Sequence, residues 1–534
     1  MSTLTVTRGT RTGAPSRAPA APARLRSVLA VAAFVVAGGF APLYHANQNQ
    51  YFFHGLAQAG VGALRADWLA GTAEVWPLFS HLVHLTVTVL HPGVFHLYYA
   101  GLVALYAATL LRIALPRPDG GVVPAARWLF LAGLTVLHSP AVGRWSVEVL
   151  GANLPGQLVR GVALQDLLGQ MLQPATFGVL LLVAVDLFLR GRALGAAVAA
   201  AGAAAVHPAY LLTAATLLGA FLLILLRAGR HRTAAGVAAV GGALLLPVVA
   251  FAASTFGPTT AEAWRLSRQI LVEYRFPHHA VVARWFGPMV LVKLAVVVAA
   301  ILLVRRSALG AILTVWAVTA LALTLVQVAS GNQALAVLFP WRISVVLVPL
   351  ATAVLLGRLC LRVAPVLAAR PRGHTGVSVA AAALMVVLAA AGAAETRARA
   401  AAQQRDDRGA LFAFVARTVT PAHVYLVPPR WDTFRLRTGA AAFADVEFIP
   451  YQDTAVLEWY RRVRLADAFY HQPRADRCGL AGVLAARYAV THVVLPADRP
   501  ACPGWSVAYE DARYRLYALS SPASGERAGP AWTR

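Results

Sequence analysis

The sequence predicts an all-α polytopic membrane domain of about eleven transmembrane helices, followed by a small C-terminal extracytoplasmic α/β domain. Of 534 residues, 59% are hydrophobic and only 13% are charged, whereas soluble domains carry about 25% charged residues. Apolar runs near the roughly 20 residues that a spanning helix needs recur from residue 26 to residue 394. After residue 395 the composition becomes that of an ordinary soluble domain.

The apolar runs divide the chain into four parts. A basic tail at residues 1–25 is predicted to be disordered in the cytoplasm, and a polar tail at 521–534 is also predicted to be disordered. Between them lie a multi-pass domain at 26–394, with a large first outer loop at 45–93, and the α/β domain at 395–520. The spans are predicted at 26–44, 94–112, 127–145, 173–190, 194–206, 209–226, 233–253, 288–304, 308–328, 343–362 and 376–394.

The positive charges predict the orientation of these spans. With eleven crossings, the first 394 residues place 19 Arg on the cytoplasmic side and nine Lys or Arg outside. If residues 79–92 also crossed, the counts would be 13 and 15, which the positive-inside bias disfavours. We therefore expect the plasma (inner) membrane, a cytoplasmic N-terminus, an extracytoplasmic C-terminus, and a helix at 79–92 that lies in the outer interface.

The net charge of +25 could suggest a nucleic-acid partner. The excess, however, lies mainly in short loops between apolar runs, where basic residues act as orientation signals. The predicted partner is the lipid bilayer, and no nucleic acid is expected.

The C-terminal segment alternates between helical and strand patterns, which implies a small α/β layer. Helices are predicted at 402–418, 454–470 and 479–487, strands at 423–429 and 488–496, and a hairpin at 505–519. Cys478 and Cys502 lie in this segment, and an oxidising compartment would permit a disulfide between them. The alternative is two unpaired thiols. Cys360 lies in an apolar span and is predicted to be inert packing.

The stretch "YHANQNQYFFHGLAQAG" at 44–60 carries many uncharged hydrogen-bonding groups directly after the first span. Amides donate and accept at once, which suits recognition of sugar hydroxyls. The same groups can satisfy a broken backbone at membrane depth, and the sequence leaves both readings open. The candidate substrate-binding residues of this stretch are Asn47, Gln48, Asn49, Gln50 and His54.

The first outer loop holds two acids in "RADWLAGTAEVWP", Asp67 and Glu74. A carboxylate there can act as general base toward an acceptor hydroxyl or hold a divalent metal through oxygen ligands. The alternative is that Asp67 caps a helix or pairs with Arg65. The histidines show no spacing typical of a zinc site, so no metal ligands are predicted among them.

Arginines cluster beside aromatic residues at the outer ends of later spans. Arg265 and Arg268 lie in "EAWRLSRQILVEYRF", and Arg342 lies in "FPWRISVVL". Guanidinium groups bind phosphate oxygens through paired hydrogen bonds, so these residues are candidates for a lipid phosphate. The alternative is interfacial arginines whose heads reach the headgroup layer beside aromatic anchors.

This architecture resembles the glycosyltransferase-C superfamily, membrane enzymes that use polyprenyl-phosphate-linked sugars. The C-terminal segments "DTFRLRTGAAAFADVEFIPYQDTAVLEWYRR", "YAVTHVVLP" and "YEDARYRLYAL" are similar to segments of bacterial multi-pass proteins of this type. The resemblance implies sugar transfer from a polyprenyl-linked donor to an envelope glycan or protein acceptor. It implies a catalytic acid at Asp67, although the family's acid typically follows the first span more closely. Arg265, Arg268 and Arg342 would hold the lipid phosphate.

Two other functions remain open from the sequence. A transporter or flippase for a polar or lipid-linked solute would carry ionisable groups at the midplane and often internal repeats. Asp186 and Lys293 are nearly the only charged residues predicted within spans, both lie near span ends, and no halves match. A catalytically inactive scaffold of envelope assembly is the third alternative, because the acidic motif of the family is missing.

Overall fold

The computed structural model describes residues 21–115, 124–369 and 373–519. The chain is mostly helical and ends in a small mixed sheet. The predicted tail at 521–534 lies outside the described residues, as do the first twenty residues of the predicted tail at 1–25.

The helices before the sheet vary widely in length. The first group comprises α1 (Ala21–Ala37), α2 (Gln48–Gln58), α3 (Pro77–Val89), α4 (Val94–Ala114), α5 (Pro124–His138), α6 (Pro140–Leu150), α7 (Leu154–Gln157), α8 (Val179–Leu189), α9 (Ala193–Val206), α10 (Leu211–Arg227) and α11 (His231–Phe256). The second group comprises α12 (Ala261–Gln269), α13 (Pro277–Ala280), α14 (Val282–Trp285), α15 (Pro288–Val304), α16 (Ala308–Ser330), α17 (Gln333–Val337), α18 (Ser344–Ala368) and α19 (Gly373–Gln404).

The protein is a multi-pass membrane protein. Within the described ranges, six helical segments are long and apolar enough to cross a membrane, namely Val94–Ala114, Pro208–Arg227, His231–Phe256, Ala308–Ser330, Gln333–Leu367 and Thr375–Gln404. The other predicted spans coincide with shorter helices. For example, α5 has 15 residues and extends about 22 Å, less than the roughly 30 Å hydrocarbon core. Prolines explain why two of these helices, α5 and α9, are short, because Pro140 and Pro208 cannot continue the preceding helix.

The helix ends define two faces of the membrane domain. Phe40, just after α1, packs against His96 and Tyr99 at the start of α4, with ring centroids 6.1 and 5.6 Å apart. The Phe40 amide donates to Thr396 near the end of α19, which leads into the sheet. We call this end the domain face. Arg112 lies 16 residues beyond His96 on α4, about 24 Å further along the helix, and marks the opposite face.

The α/β region, residues 405–519, holds a five-stranded sheet between helices. Its elements are α20 (Gly409–Thr418), β1 (Val424–Leu426), α21 (Phe434–Thr438), β2 (Ala441–Ala442), α22 (Asp453–His471), α23 (Arg474–Tyr488), β3 (His492–Pro496), β4 (Ser506–Glu510) and β5 (Tyr514–Ala518). The strand order is β2-β1-β3-β5-β4. β1 pairs in parallel with β2 and β3, whereas β5 pairs antiparallel with β3 and β4.

Helices cover both sides of this sheet. On one side Trp459 and Phe469 of α22 are fully buried against Leu426 and Val493 of the strands. On the other side α20 and α21 bury their apolar residues against Tyr425 and alternate strand positions. The predicted helix at 454–470 and the hairpin at 505–519 are confirmed. The strand predicted at 423–429 ends earlier, because Pro428 and Pro429 cannot donate to a neighbouring strand.

A disulfide links α23 to the loop before β4. The sulfurs of Cys478 and Cys502 are 1.93 Å apart, and their sequence separation is 24. Closing a loop of this length stabilises the folded state by about 3.5 kcal/mol in the chain-entropy model. We expect a reductant to lower the midpoint of thermal unfolding of the α/β region. The variant Cys478→Ala/Cys502→Ala should show that lower midpoint even without reductant.

The control for this prediction is Cys360→Ala, which removes the buried free thiol of α18. It should respond to reductant like the wild type, whereas the double variant should not respond. A wild-type midpoint that is the same with and without reductant would contradict the disulfide.

Candidate functional site

Asp67, one of the two predicted catalytic acids, forms a buried ion pair with Arg435. Its Oδ2 accepts hydrogen bonds from Arg435 Nε at 2.7 Å and from the Ala442 amide at 2.9 Å. Its Oδ1 accepts from the Leu69 amide and caps the 3-10 turn Trp68–Gly71. The side chains of Asp67 and Arg435 are 0% and 1% exposed. Asp67 therefore joins the predicted first outer loop, residues 45–93, to the α/β region and offers no exposed oxygen to a substrate.

Arg435 serves a second acid as well. Its Nη1 lies 3.6 Å from Asp445 Oδ2, and its guanidinium lies 5.0 Å from the centre of the Phe448 ring. Burial raises the pKa of Asp445 to about 7, although Arg435 favours the charged form. The Arg435 guanidinium thus contacts two carboxylates, those of Asp67 and Asp445, from different parts of the chain. Arg65, the alternative partner for Asp67, donates instead to the carbonyl of Ala57.

Glu74, the other predicted catalytic acid, is more accessible and faces a histidine. Its Oε1 accepts from the Trp76 amide at 2.6 Å, and its Oε2 accepts from Ser80 Oγ at 2.8 Å. His54 Nδ1 lies 3.6 Å from Glu74 Oε2, and the two side chains are 15% and 14% exposed. They line a cavity of about 10 Å³ together with Gln50. This is about the space that one water molecule needs.

The amides of the stretch 44–60 connect the first outer loop to other segments. Gln50 Nε2 donates to the Ile449 carbonyl at 3.1 Å, and Asn49 Nδ2 donates to Asp432 Oδ2 at 3.4 Å. Gln48 bonds two backbone groups, the Tyr44 amide and the Leu172 carbonyl. Asn47 is exposed and makes no capping bond with its side chain. Gln48 and Gln50 therefore satisfy backbone groups, which is one of the two interpretations, and Asn49 and Gln50 reach the α/β region.

A group of arginine, histidine and tyrosine side chains lies beside these amides. We call Tyr51, His207, Arg275, Arg342 and Tyr451 the cationic cluster. Arg342 Nη1 lies 2.9 Å from His207 Nε2, and the Tyr51 ring is 6.3 Å from the His207 ring. Burial raises the pKa of Tyr51 and Tyr451, while Arg275 and Arg342 oppose that shift at both hydroxyls.

The cationic cluster retains unused donors. Among the described residues, the buried Nε atoms of Arg275 and Arg342 and the buried Nδ1 of His207 have no hydrogen-bond partner. Arg275 Nη2 donates to Glu447 Oε2 at 2.6 Å, so the local charge is only partly neutralised. Unpaired buried polar groups are costly, and guanidinium donors are well suited to phosphate oxygens. An anionic ligand would supply the missing partners.

The two predicted arginines of α12 occupy different environments. Arg268 is buried, stacks on Trp264 at 3.9 Å and donates to the Tyr451 carbonyl at 3.4 Å. It therefore borders the cationic cluster. Arg265 is exposed and has no recorded contact with the cluster among the described residues.

An apolar groove includes a residue that is adjacent in sequence to the cationic cluster. The groove has a volume of about 250 Å³ and is lined by aliphatic side chains of α15, α16 and α18, with Lys293 and Trp341. Lys293 Nζ donates to Gln157 Oε1 and to the Gly161 carbonyl. Trp341 and Arg342 are neighbours on the 3-10 turn Pro340–Ile343. One residue of this turn lines the groove, and the next belongs to the cationic cluster.

Several residues of this site carry no pattern that identifies them from the sequence. Arg435, Glu447 and Tyr451 lie in the segment 432–453, which holds four acids and two arginines. That density of charge is the available signal, but it does not indicate partners in the first outer loop. Within the described part of the chain, no group of three or more His, Cys, Asp or Glu side chains could hold a metal ion.

The comparison with known proteins bears on the same segment. No curated protein matches the chain. Residues 406–466 match the model of a domain of unknown function, DUF6798. The matched segment includes Arg435, Glu447 and Tyr451, which are among the residues through which the α/β region contacts the first outer loop and the cationic cluster.

Proposed function

We propose that this membrane protein binds a polyprenyl-phosphate-linked sugar at the domain face and transfers the sugar to an envelope glycan or protein acceptor. The observation that carries the proposal is the turn Pro340–Ile343, where Trp341 lines an apolar groove and Arg342 belongs to the cationic cluster. A ligand with a long apolar chain and an anionic head matches this pair of environments. The unused donors of Arg275 and Arg342 would bind its phosphate.

In this proposal Glu74 is the base and Asp67 is structural. Glu74, through His54 or a water molecule, takes the proton of the acceptor hydroxyl. The hydroxyl oxygen then attacks the anomeric carbon, and the bond from that carbon to the phosphate oxygen breaks. Polyprenyl phosphate leaves with the electron pair, and Arg275 and Arg342 stabilise its added negative charge. Gln50, which lines the cavity beside Glu74 and His54, would bind a sugar hydroxyl, whereas Asn49 is fully buried and would hold the loop against the α/β region.

The proposal includes an orientation. The domain face would lie outside the cytoplasm, on the outer side of the plasma (inner) membrane, where lipid-linked sugars meet envelope acceptors. The positive-inside distribution of arginines supports this orientation. A disulfide between Cys478 and Cys502 supports it as well, because such bonds persist in oxidising compartments.

Replacement of Glu74 and Arg342 tests the transfer reaction. With purified protein and polyprenyl-phosphate sugars, Glu74→Gln should lower kcat by about 10²–10⁴-fold, the usual contribution of a general base. Arg342→Gln should chiefly weaken donor binding, about tenfold or more, because it removes a charge-assisted phosphate contact. Product formation is followed by mass spectrometry of the glycosylated acceptor.

Arg265→Gln is the matched control, since it removes an exposed arginine of the same outer segment. It should transfer sugar at the wild-type rate. Wild-type kcat in Glu74→Gln would refute the assigned base, and donor binding unchanged in Arg342→Gln would refute the phosphate site.

The buried state of Asp67 favours a second candidate function. A protein whose loop acid is committed to Arg435 could hold the lipid-linked molecule for an envelope-assembly complex without transferring its sugar. In that case native mass spectrometry would detect donor binding that depends on Arg342, while no glycosylated acceptor would form with any donor tested.

A further inference from the structure

The opposite face holds a charged cavity that the proposed function does not use. The cavity has a volume of about 450 Å³ and lies at the C-terminal ends of α4 and α8 and the N-terminal end of α5. Its polar lining consists of Arg112, Arg127, Asp186 and Arg190, and aliphatic side chains of α4 and α8 complete it. It is large enough for a phosphate-bearing headgroup.

A single buried carboxylate organises two of the three arginines. Asp186 is 6% exposed. Its Oδ2 accepts from Arg112 Nε and its Oδ1 accepts from Arg190 Nε, each at 2.9 Å. Both guanidinium groups are thus fixed through their Nε atoms, so terminal N–H groups remain for another acceptor. Only one such bond is recorded within the described ranges, from Arg112 Nη2 to Thr109 at 3.1 Å.

The cavity has excess positive charge. Three guanidinium groups and one carboxylate sum to +2. Arg127 is exposed on the first turn of α5, and it has no hydrogen-bond or ion-pair partner recorded among the described residues. The N-terminus of α5, a 15-residue helix, adds its own affinity for an anion. Arginines that serve only as orientation signals do not require a buried carboxylate that fixes their geometry.

We propose that this cavity binds a phosphate group, with Arg127 and the terminal N–H groups of Arg112 and Arg190 as its donors. The phosphate belongs to an anionic lipid headgroup or to a soluble phosphorylated molecule. Basic pockets between membrane helices bind such headgroups, and the cavity lies at the end of the apolar part of α4. This site lies about 24 Å along that helix from His96 at the domain face, and it shares no residue with the proposed transferase site.

The experiment uses the full chain in zwitterionic detergent micelles. In one arm, native mass spectrometry measures retention of cardiolipin, with phosphatidylcholine as the neutral comparison. In the other arm, isothermal titration measures binding of inorganic pyrophosphate. Arg127→Gln is the informative variant, because it leaves both bonds of Asp186 in place and the fold is expected to survive. Arg227→Gln, an exposed arginine at the end of α10, is the matched control.

Cardiolipin retention should exceed phosphatidylcholine retention and should fall at least fivefold in Arg127→Gln, while Arg227→Gln stays within twofold of the wild type. If Arg127→Gln lost binding of pyrophosphate by that factor but did not lose cardiolipin retention, the site would be assigned to a soluble phosphate. Binding of neither probe, or equal losses in both variants, would overturn the proposal. A thermal unfolding midpoint shared by wild type and Arg127→Gln excludes misfolding as the cause of a loss.

Discussion

Replacing Arg435 by alanine is expected to destabilise the protein by about 3–5 kcal/mol, the cost of breaking a buried ion pair by removing one partner. The change leaves the Asp67 carboxylate, 0% exposed, without its 2.7 Å partner. It also removes the cation nearest to Asp445. We expect a lower midpoint of thermal unfolding and faster proteolysis in the first outer loop, measured on detergent-purified protein.

Two further variants make this test specific. Arg461→Ala removes an exposed arginine of α22 that pairs with Glu458, and such surface pairs contribute about 1 kcal/mol or less. The double variant Asp67→Leu/Arg435→Met replaces the pair by apolar side chains and should recover part of the lost stability; Asp445 still lacks its nearby cation in this variant. A midpoint for Arg435→Ala equal to that of Arg461→Ala would argue against the buried pair.

Gly392→Ala is expected to destabilise the contact between α1 and α19 by about 1–3 kcal/mol, as overpacking typically does. A Cβ atom at residue 392 would lie 2.1 Å from the Val36 carbonyl oxygen and 2.7 Å from that of Ala37. These are backbone atoms, so one helix must move. Small residues permit such close approach of membrane helices. The measurement is again the midpoint of thermal unfolding in detergent.

For Gly376→Ala on the same helix we expect no loss of stability. A Cβ at residue 376 meets nothing within 4 Å, and alanine is favoured over glycine in a helix by about 1 kcal/mol. This variant should be as stable as the wild type or slightly more stable. If both variants behaved alike, the close crossing at Gly392 would be refuted.

Local patterns predicted the elements whose residues carry a clear periodicity. The helix α22 and the hairpin β4–β5 appear where helical spacing and a polar turn indicate them. The strand β2 (Ala441–Ala442) consists of two alanines in "GAAAF", which lacks the β-branched and aromatic residues that mark strands. It exists because β1 is its neighbour. Because this strand depends on its pairing with β1, the sequence of β2 itself carries no pattern that predicts a strand.

The candidate site was predictable in its residue types more than in its partners. The composition of the first outer loop singles out Asp67, and its capping role was one of the alternatives. Its partner Arg435 lies 368 positions away, and no spacing rule connects such residues. Arg265 and Arg268 look alike in sequence, yet one is exposed and one is buried, because Arg268 stacks on Trp264 and reaches the Tyr451 carbonyl of the α/β region.

The ion pair between Asp67 and Arg435 has a consequence for biosynthesis. A ribosome adding about 5–20 residues per second needs roughly 20–70 s to reach Arg435 after Asp67 has been made. Throughout that interval residues 45–93 have been made but lack the cation that balances the Asp67 carboxylate. The amides of Asn49 and Gln50 lack their acceptors as well. The early helices must therefore hold an unfinished segment until the α/β region has been made, and a chain truncated before Arg435 could never complete it.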